Sequence, residues 1–115
     1  MRHGILVGLV AAVALLACRH AAVTHLASAP PKPSGCQLQL FASEAEVGRP
    51  FEALCLVDTE ITTTLLRPVD PAAVAETARG QACQCGGDAL IVTKPDAGTP
   101  EGTPMTVKVI RFTGP

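Results

Sequence analysis

The chain has no tryptophan and no tyrosine, and its three histidines, His3, His20 and His25, all fall within the first 25 of its 115 residues. From Cys36 onward there is no imidazole to activate a serine or cysteine nucleophile, and none to complete a mixed His/Cys zinc site. Phe41, Phe51 and Phe112 are the whole aromatic complement, too few for a platform on which bases or sugars could stack. Charge of one sign is also missing. Nine Lys and Arg stand against ten Asp and Glu, so there is no basic footprint for nucleic acid. Asp58, Glu60 and Asp88 are the carboxylates that a hydrolytic reading would use. Such chemistry needs two of them in a cleft that perturbs their pKa values, and isolated surface carboxylates normally serve solubility. No enzyme activity, no cofactor, no metal and no small-molecule substrate are expected.

Long hydrophobic runs are scarce too, with one exception. After the basic start Met1-Arg2-His3, an apolar run extends from Ile5 to Leu16, 12 residues, against the ~20 that a membrane-spanning helix requires. Its length and flanks are those of an export signal. The run ends in Leu15-Leu16-Ala17-Cys18, which resembles the lipobox of bacterial lipoproteins. The resemblance implies that residues 1–17 are a cleaved signal peptide and that Cys18 becomes the lipidated N-terminus, carrying a diacylglycerol thioether and commonly an amide-linked palmitate. Two or more acyl chains, at about 0.8 kcal/mol per buried CH₂, anchor a protein without a span. Arg19, where some lipoproteins carry an inner-membrane Asp, favours the outer membrane on its periplasmic side.

Removing residues 1–17 leaves 98, enough for one domain. Residues 18–35 end in Ala29-Pro30-Pro31-Lys32-Pro33-Ser34-Gly35, a composition that suits solvated, extended backbone and predicts a tether holding the domain on the order of 20–25 Å from the lipid. The domain is then residues 36–115. At roughly 80 residues, a hydrophobic core alone gives marginal stability, so covalent staples are expected. Cys36, Cys55, Cys83 and Cys85 are the candidates, an even number in an exported domain. Four cysteines allow three connectivities. A Cys83–Cys85 bond would close a very tight ring, which sends each to Cys36 or Cys55. Helical phase favours Cys36 with Cys83 and Cys55 with Cys85.

Alternation in Gln37–Ala42 predicts a half-buried strand with Leu38, Leu40 and Ala42 inward. Phe51–Val57 predicts a second, with Cys55 facing inward beside Phe51, Ala53 and Val57, while Thr59–Leu66 can prolong it or fold back. A helix start is explicit: Asp70 as N-cap, Pro71 at the first helical position, and Val69 stapled to Val74. Val74, Ala78 and Ala82 recur every four residues to form a narrow stripe for a sheet, Cys85 continues it, and Gly86-Gly87 stops the helix. Ala89–Thr93 reads as a strand covered on both faces, and Lys94–Pro104, with three prolines and two glycines, as an exposed loop leading to a closing strand Met105–Phe112 in a hairpin. The expected order is β-β-α-β-β, an α+β domain of two layers with a mainly antiparallel sheet.

A signal with a lipobox, a Pro-rich stretch, an early cysteine and a helix running into Cys83-Gln84-Cys85-Gly86-Gly87-Asp88-Ala89-Leu90-Ile91-Val92 together resemble the small disulfide-bonded domain of the outer-membrane lipoprotein that senses envelope stress for the Rcs phosphorelay. That resemblance implies a non-enzymatic interaction module with two non-consecutive disulfides. The expectation is a binding, sensing or structural module of the cell envelope whose partners are the membrane, through Cys18, and another envelope protein, through the loop Lys94–Pro104. The alternative is a thiol protein, with Cys83 and Cys85 binding a soft metal such as copper or exchanging disulfides.

Overall fold

The computed structural model describes residues 22–64 and 69–115. Residues 1–21, which hold the expected signal segment and Cys18, and the stretch 65–68 lie outside the described residues. Strand β1 is Ala22–His25, β2 Gln39–Phe41, β3 Phe51–Thr62, β4 Ala89–Ile91 and β5 Pro104–Phe112, with helix α1 at Pro71–Gln84 and a single 3-10 turn at Glu44–Glu46. The five strands form one sheet in the order β1-β3-β5-β4-β2, antiparallel except for the parallel pair β2–β4. The expected α+β class and two-layer arrangement are what the structure has. Thr59–Thr62 prolongs β3, and β4 and β5 form the expected hairpin, Ala89 opposite Ile110 and Leu90 opposite Val109.

Helix α1 forms where its capping chemistry places it. Asp70 is extended and its carboxylate accepts from Ala72 N at 3.0 Å, Pro71 occupies the first turn, and Val69 and Val74 pack into the same cluster. Val74, Ala78 and Ala82 are fully buried against the sheet. Their small side chains let the helix lie close to β3 and β5. The helix ends in a Schellman closure: Gly86, at φ +85°, donates to Cys83 O at 3.0 Å, and Gly87 donates to Ala82 O at 3.0 Å, satisfying carbonyls that the last turn leaves open.

The sheet has an apolar cluster on each face. The helix-side cluster gathers Leu54, Cys55, Val57, Leu90, Val92, Met105, Val107 and Val109 beneath α1. The opposite cluster holds Val47, Ala89, Ile91 and Ile110, with all three phenylalanines packed against it. A register shift explains how one strand serves both. Ala53 pairs with Ile110 and Cys55 with Val109, leaving Leu54 as an extra residue, and a bulge of this kind reverses which face alternate residues take. The structure thereby corrects the expected phase of β3: Cys55 and Val57 face the helix, whereas Phe51 joins the opposite cluster. Strand β2 is corrected as well. It is shorter than Gln37–Ala42, Leu40 is 44% exposed, and Phe41 is the residue that packs, edge-on to Phe112 at 6.5 Å between ring centroids.

The largest departure from the sequence reading concerns residues 22–35, expected as a solvated tether. Ala22–His25 instead adds an edge strand to β3, with Ala22 opposite Asp58 and His25 opposite Cys55, so the order is β-β-β-α-β-β and the domain begins no later than Ala22. Because β1 and β2 occupy opposite edges, residues 26–38 must cross the width of the sheet, four strand spacings or about 19 Å. They cross at the C-terminal end of α1. Leu26 N and Ala27 N donate to Leu54 O, Lys32 N donates to Cys83 O at 2.8 Å, and Ala27 and Ala29 pack on the helix-side cluster. Proline suits such a crossing, since it favours extended backbone and brings no N–H group that must find a partner. We refer to residues 26–38 as the strap.

Two glycines of the helix and its exit should respond to alanine with opposite sign, and the strap bears on one of them, Gly86. A Cβ on Gly86 would stand 2.5 Å from Pro30 O and 3.0 Å from Ala29 Cβ, in a left-handed conformation, so Gly86→Ala should lower stability by at least the 1–2 kcal/mol of a left-handed L-residue. Gly80, on the exposed face of α1 with nothing within 4 Å, should gain about 1 kcal/mol on replacement by alanine. Urea unfolding of the two variants beside the parent protein tests both signs; a neutral Gly86→Ala would mean that the strap does not lie on the helix end.

Candidate functional site

Cys83 and Cys85 are two positions apart at the end of α1, about 200° of helical rotation, and so project to different sides. Cys85 meets Cys55 on the helix face of β3, with Cα atoms 6.5 Å apart, and Cys83 meets Cys36 at the end of the strap, with Cα atoms 5.9 Å apart. The pairing favoured by helical phase is the one in the structure. One bond bolts the helix to the sheet and the other bolts the strap to the helix. Arg79 adds a third tie, donating from Nη1 to Cys36 O at 3.2 Å. Cys55 and Cys83 are fully buried and Cys85 nearly so. Cys83 and Cys85 could therefore bind a soft metal together only with both bridges reduced.

Beside the helix end lies a polar junction that the sequence reading did not assemble. Lys32, in the strap, donates from Nζ to Gly87 O at 2.8 Å and to Asp88 Oδ1. Asp88 Oδ2 accepts from Phe112 N at 2.9 Å, and Asp88 N donates to Ile110 O at 2.8 Å. One carboxylate thus joins the strap, the helix exit and the last residue of β5. Partial burial pushes the Asp88 carboxyl upward, but the Lys32 and Phe112 hydrogen bonds and the charges of Lys32 and Arg49 outweigh it, and the pKa lies below the usual value. Lys32 and Asp88 are 56 residues apart with no local pattern linking them.

The loop after β4 is exposed as expected, yet it is a built element. Asp96–Thr99 forms one turn, with Thr99 N donating to Asp96 O at 3.0 Å, and Pro100–Thr103 a second, with Gly98 and Gly102 supplying positive φ. The end of β3 holds it: Thr63 N donates to Thr103 O at 2.9 Å, Gly102 N donates to Thr63 O at 2.8 Å, and the Thr63 hydroxyl donates to Pro100 O at 2.8 Å. Between loop and strand end is an open groove of about 360 Å³ lined by Thr63, Val69, Lys94, Asp96 and Glu101 among others. A smaller depression near His25, Ser28 and Gln84, about 330 Å³, borders the strap.

Of the carboxylates singled out for hydrolysis, Asp58 and Glu60 are exposed two residues apart on β3, and Asp88 is not brought to them. Asp58 lies on β3 opposite Thr106, whose hydroxyl it accepts at 2.7 Å, whereas Asp88 is bonded to Ile110 and Phe112 at the other end of β5. The separation along the strand is four to six residues, roughly 13–20 Å. Among the described residues, no three His, Cys, Asp or Glu side chains form a cluster able to hold a metal ion, and no helix is long and apolar enough to cross a membrane. Comparison with protein-family models, with curated proteins and with solved structures finds no match to this chain.

Two outcomes follow for the helix end. Removing either disulfide as a double Cys→Ala variant should cost about 4 kcal/mol, since the bridges close loops of 47 and 30 residues whose unfolded-state entropy they restrict; titration of the unreduced domain should find no free thiol at these four positions. Asp88 makes a separate pH-dependent contribution. A carboxyl whose pKa is lower folded than unfolded stabilises above the unfolded value and loses that stabilisation as pH falls through the folded one. Stability of the parent over Asp88→Asn should be constant above about pH 5, narrow below about pH 4, and remain within about 1 kcal/mol for this partly exposed pair. An unchanging gap across that range would remove the ionised Asp88 from the junction.

Proposed function

We propose that the chain is a lipid-anchored lipoprotein of the bacterial cell envelope, held on the periplasmic side of the outer membrane by acyl chains on Cys18, with a non-enzymatic domain that acts as a binding, sensing or structural module. The observation that carries this reading is Leu15-Leu16-Ala17-Cys18 at the end of a short apolar run with a basic start. The bonding of all four remaining cysteines in two disulfides supports it, because such bonds form and persist in oxidising compartments. A domain of this size with its strap, helix and sheet covalently joined is a scaffold suited to presenting a fixed surface.

Expression in a bacterial host tests the anchor. The parent chain should fractionate with membranes, and its mass should match residues 18–115 plus acyl groups; Cys18→Ser should appear in the soluble fraction or retain residues 1–17. A parent protein of unmodified mass would overturn the proposal. Crosslinking in intact envelopes, compared between the two forms, then reports whether neighbours depend on the anchor.

A further inference from the structure

On the proposed reading that Cys18 carries the lipid, we infer that the domain stands with one particular end on the bilayer: the end built from Thr63, Thr64 and the two-turn loop 94–103. The surface it meets is lipid headgroups. The inference deepens the anchor proposal by fixing which side of the domain faces the membrane and which side is left for a protein.

The reasoning is one of reach and direction. Cys18 precedes the first residue of β1 by four positions, and four residues span at most about 14 Å however extended they are. Ala22 therefore lies within about 14 Å of the lipid attachment. Strand β1 runs antiparallel to β3 and enters opposite Asp58, while β3 continues to Thr62 opposite Pro104. The N-terminal end of β1 thus points to the side on which Thr62, Pro104 and the loop lie, with Thr62 four residues or about 13 Å beyond Asp58. The other end of the sheet is formed by Phe51 opposite Phe112, seven residues back along β3 from Asp58, or about 23 Å. Were the domain to stand on that end, Ala22 would be held about 23 Å above the lipid, beyond what four residues can span. Had residues 18–35 been the loose tether that their composition suggests, either end could have faced the membrane.

Charge is not what holds this end down. Asp58, Glu60, Asp70, Asp96 and Glu101 surround a single described cation, Lys94, in this part of the fold, so attraction to anionic headgroups is absent and the apposition depends on the short linkage. At the far end, Arg49 lies over the Phe112 ring, 4.0 Å from its centroid, and donates to Gly114 O at 2.9 Å. This is the surface that the orientation turns away from the lipid.

The test uses full-length lipidated protein in phosphatidylcholine nanodiscs doped with a gadolinium-chelating lipid, with amide-proton relaxation read by NMR and the mass of the same sample measured. Relaxation should be strongest at Thr63, Gly98 and Gly102 and weakest at Glu52, Arg111 and Phe112, at least about tenfold apart given a separation of about 30 Å. Insertion of a ten-residue Gly-Ser stretch after Arg19 should flatten the gradient. An acylated sample with a uniform or inverted gradient, or one whose gradient survives the insertion, would overturn the orientation while leaving the anchor standing. A sample without acyl mass would overturn the anchor and the orientation with it.

Discussion

The architecture depends on one crossing. A chain that lays its first strand at one edge of a five-stranded sheet and its second at the opposite edge has to traverse the whole width between them, and here it does so over the end of the only described helix. The helix end must be flat enough to be crossed, which is why Gly86 and Gly87 sit where Pro30 and the Val109 side chain approach most closely. The crossing must also be held. Cys36–Cys83 fixes its far end, and Lys32, on Gly87 O and Asp88, fixes its middle. The same few residues that stop the helix therefore also define where β2 begins and how β4 leaves.

How much of this was legible in the sequence divides along the range of the interactions. The cap of α1, its Gly-Gly stop and its small-residue stripe are local, each set by contacts within a few positions, and they stand as read. The cysteine pairing was readable because two cysteines at a helix end differ in phase by a fixed angle. The extent of β2 and the inward side of β3 were not readable. An inserted residue at Leu54 reverses the face of every residue after it, and no property of Leu54 itself announces that it lacks a partner on β5.

The strap was misread for a physical reason. Pro30, Pro31 and Pro33 favour extended backbone whether that backbone is solvated or pressed against a protein, so composition does not separate a tether from a crossing. What separates them is the four-residue strand ahead of the prolines, Ala22–His25, which is too short and too polar to be distinctive and exists because β3 offers it an open edge. The junction of Lys32 with Asp88 belongs to the same class: each residue is ordinary alone, and they meet only because the crossing brings them within a hydrogen bond.

The position of the Cys36–Cys83 bond has a mechanical consequence. Force applied at the start of β1 can at most strip that strand and draw the strap off the helix; unravelling from this side halts at Cys36, because the next link in the load path is covalent. About fourteen residues would be paid out, some 45–50 Å of slack, while the helix, β3 to β5 and both cystines stayed assembled. The fold thus contains an extensible leader with a hard stop, fixed in length by where one cysteine sits.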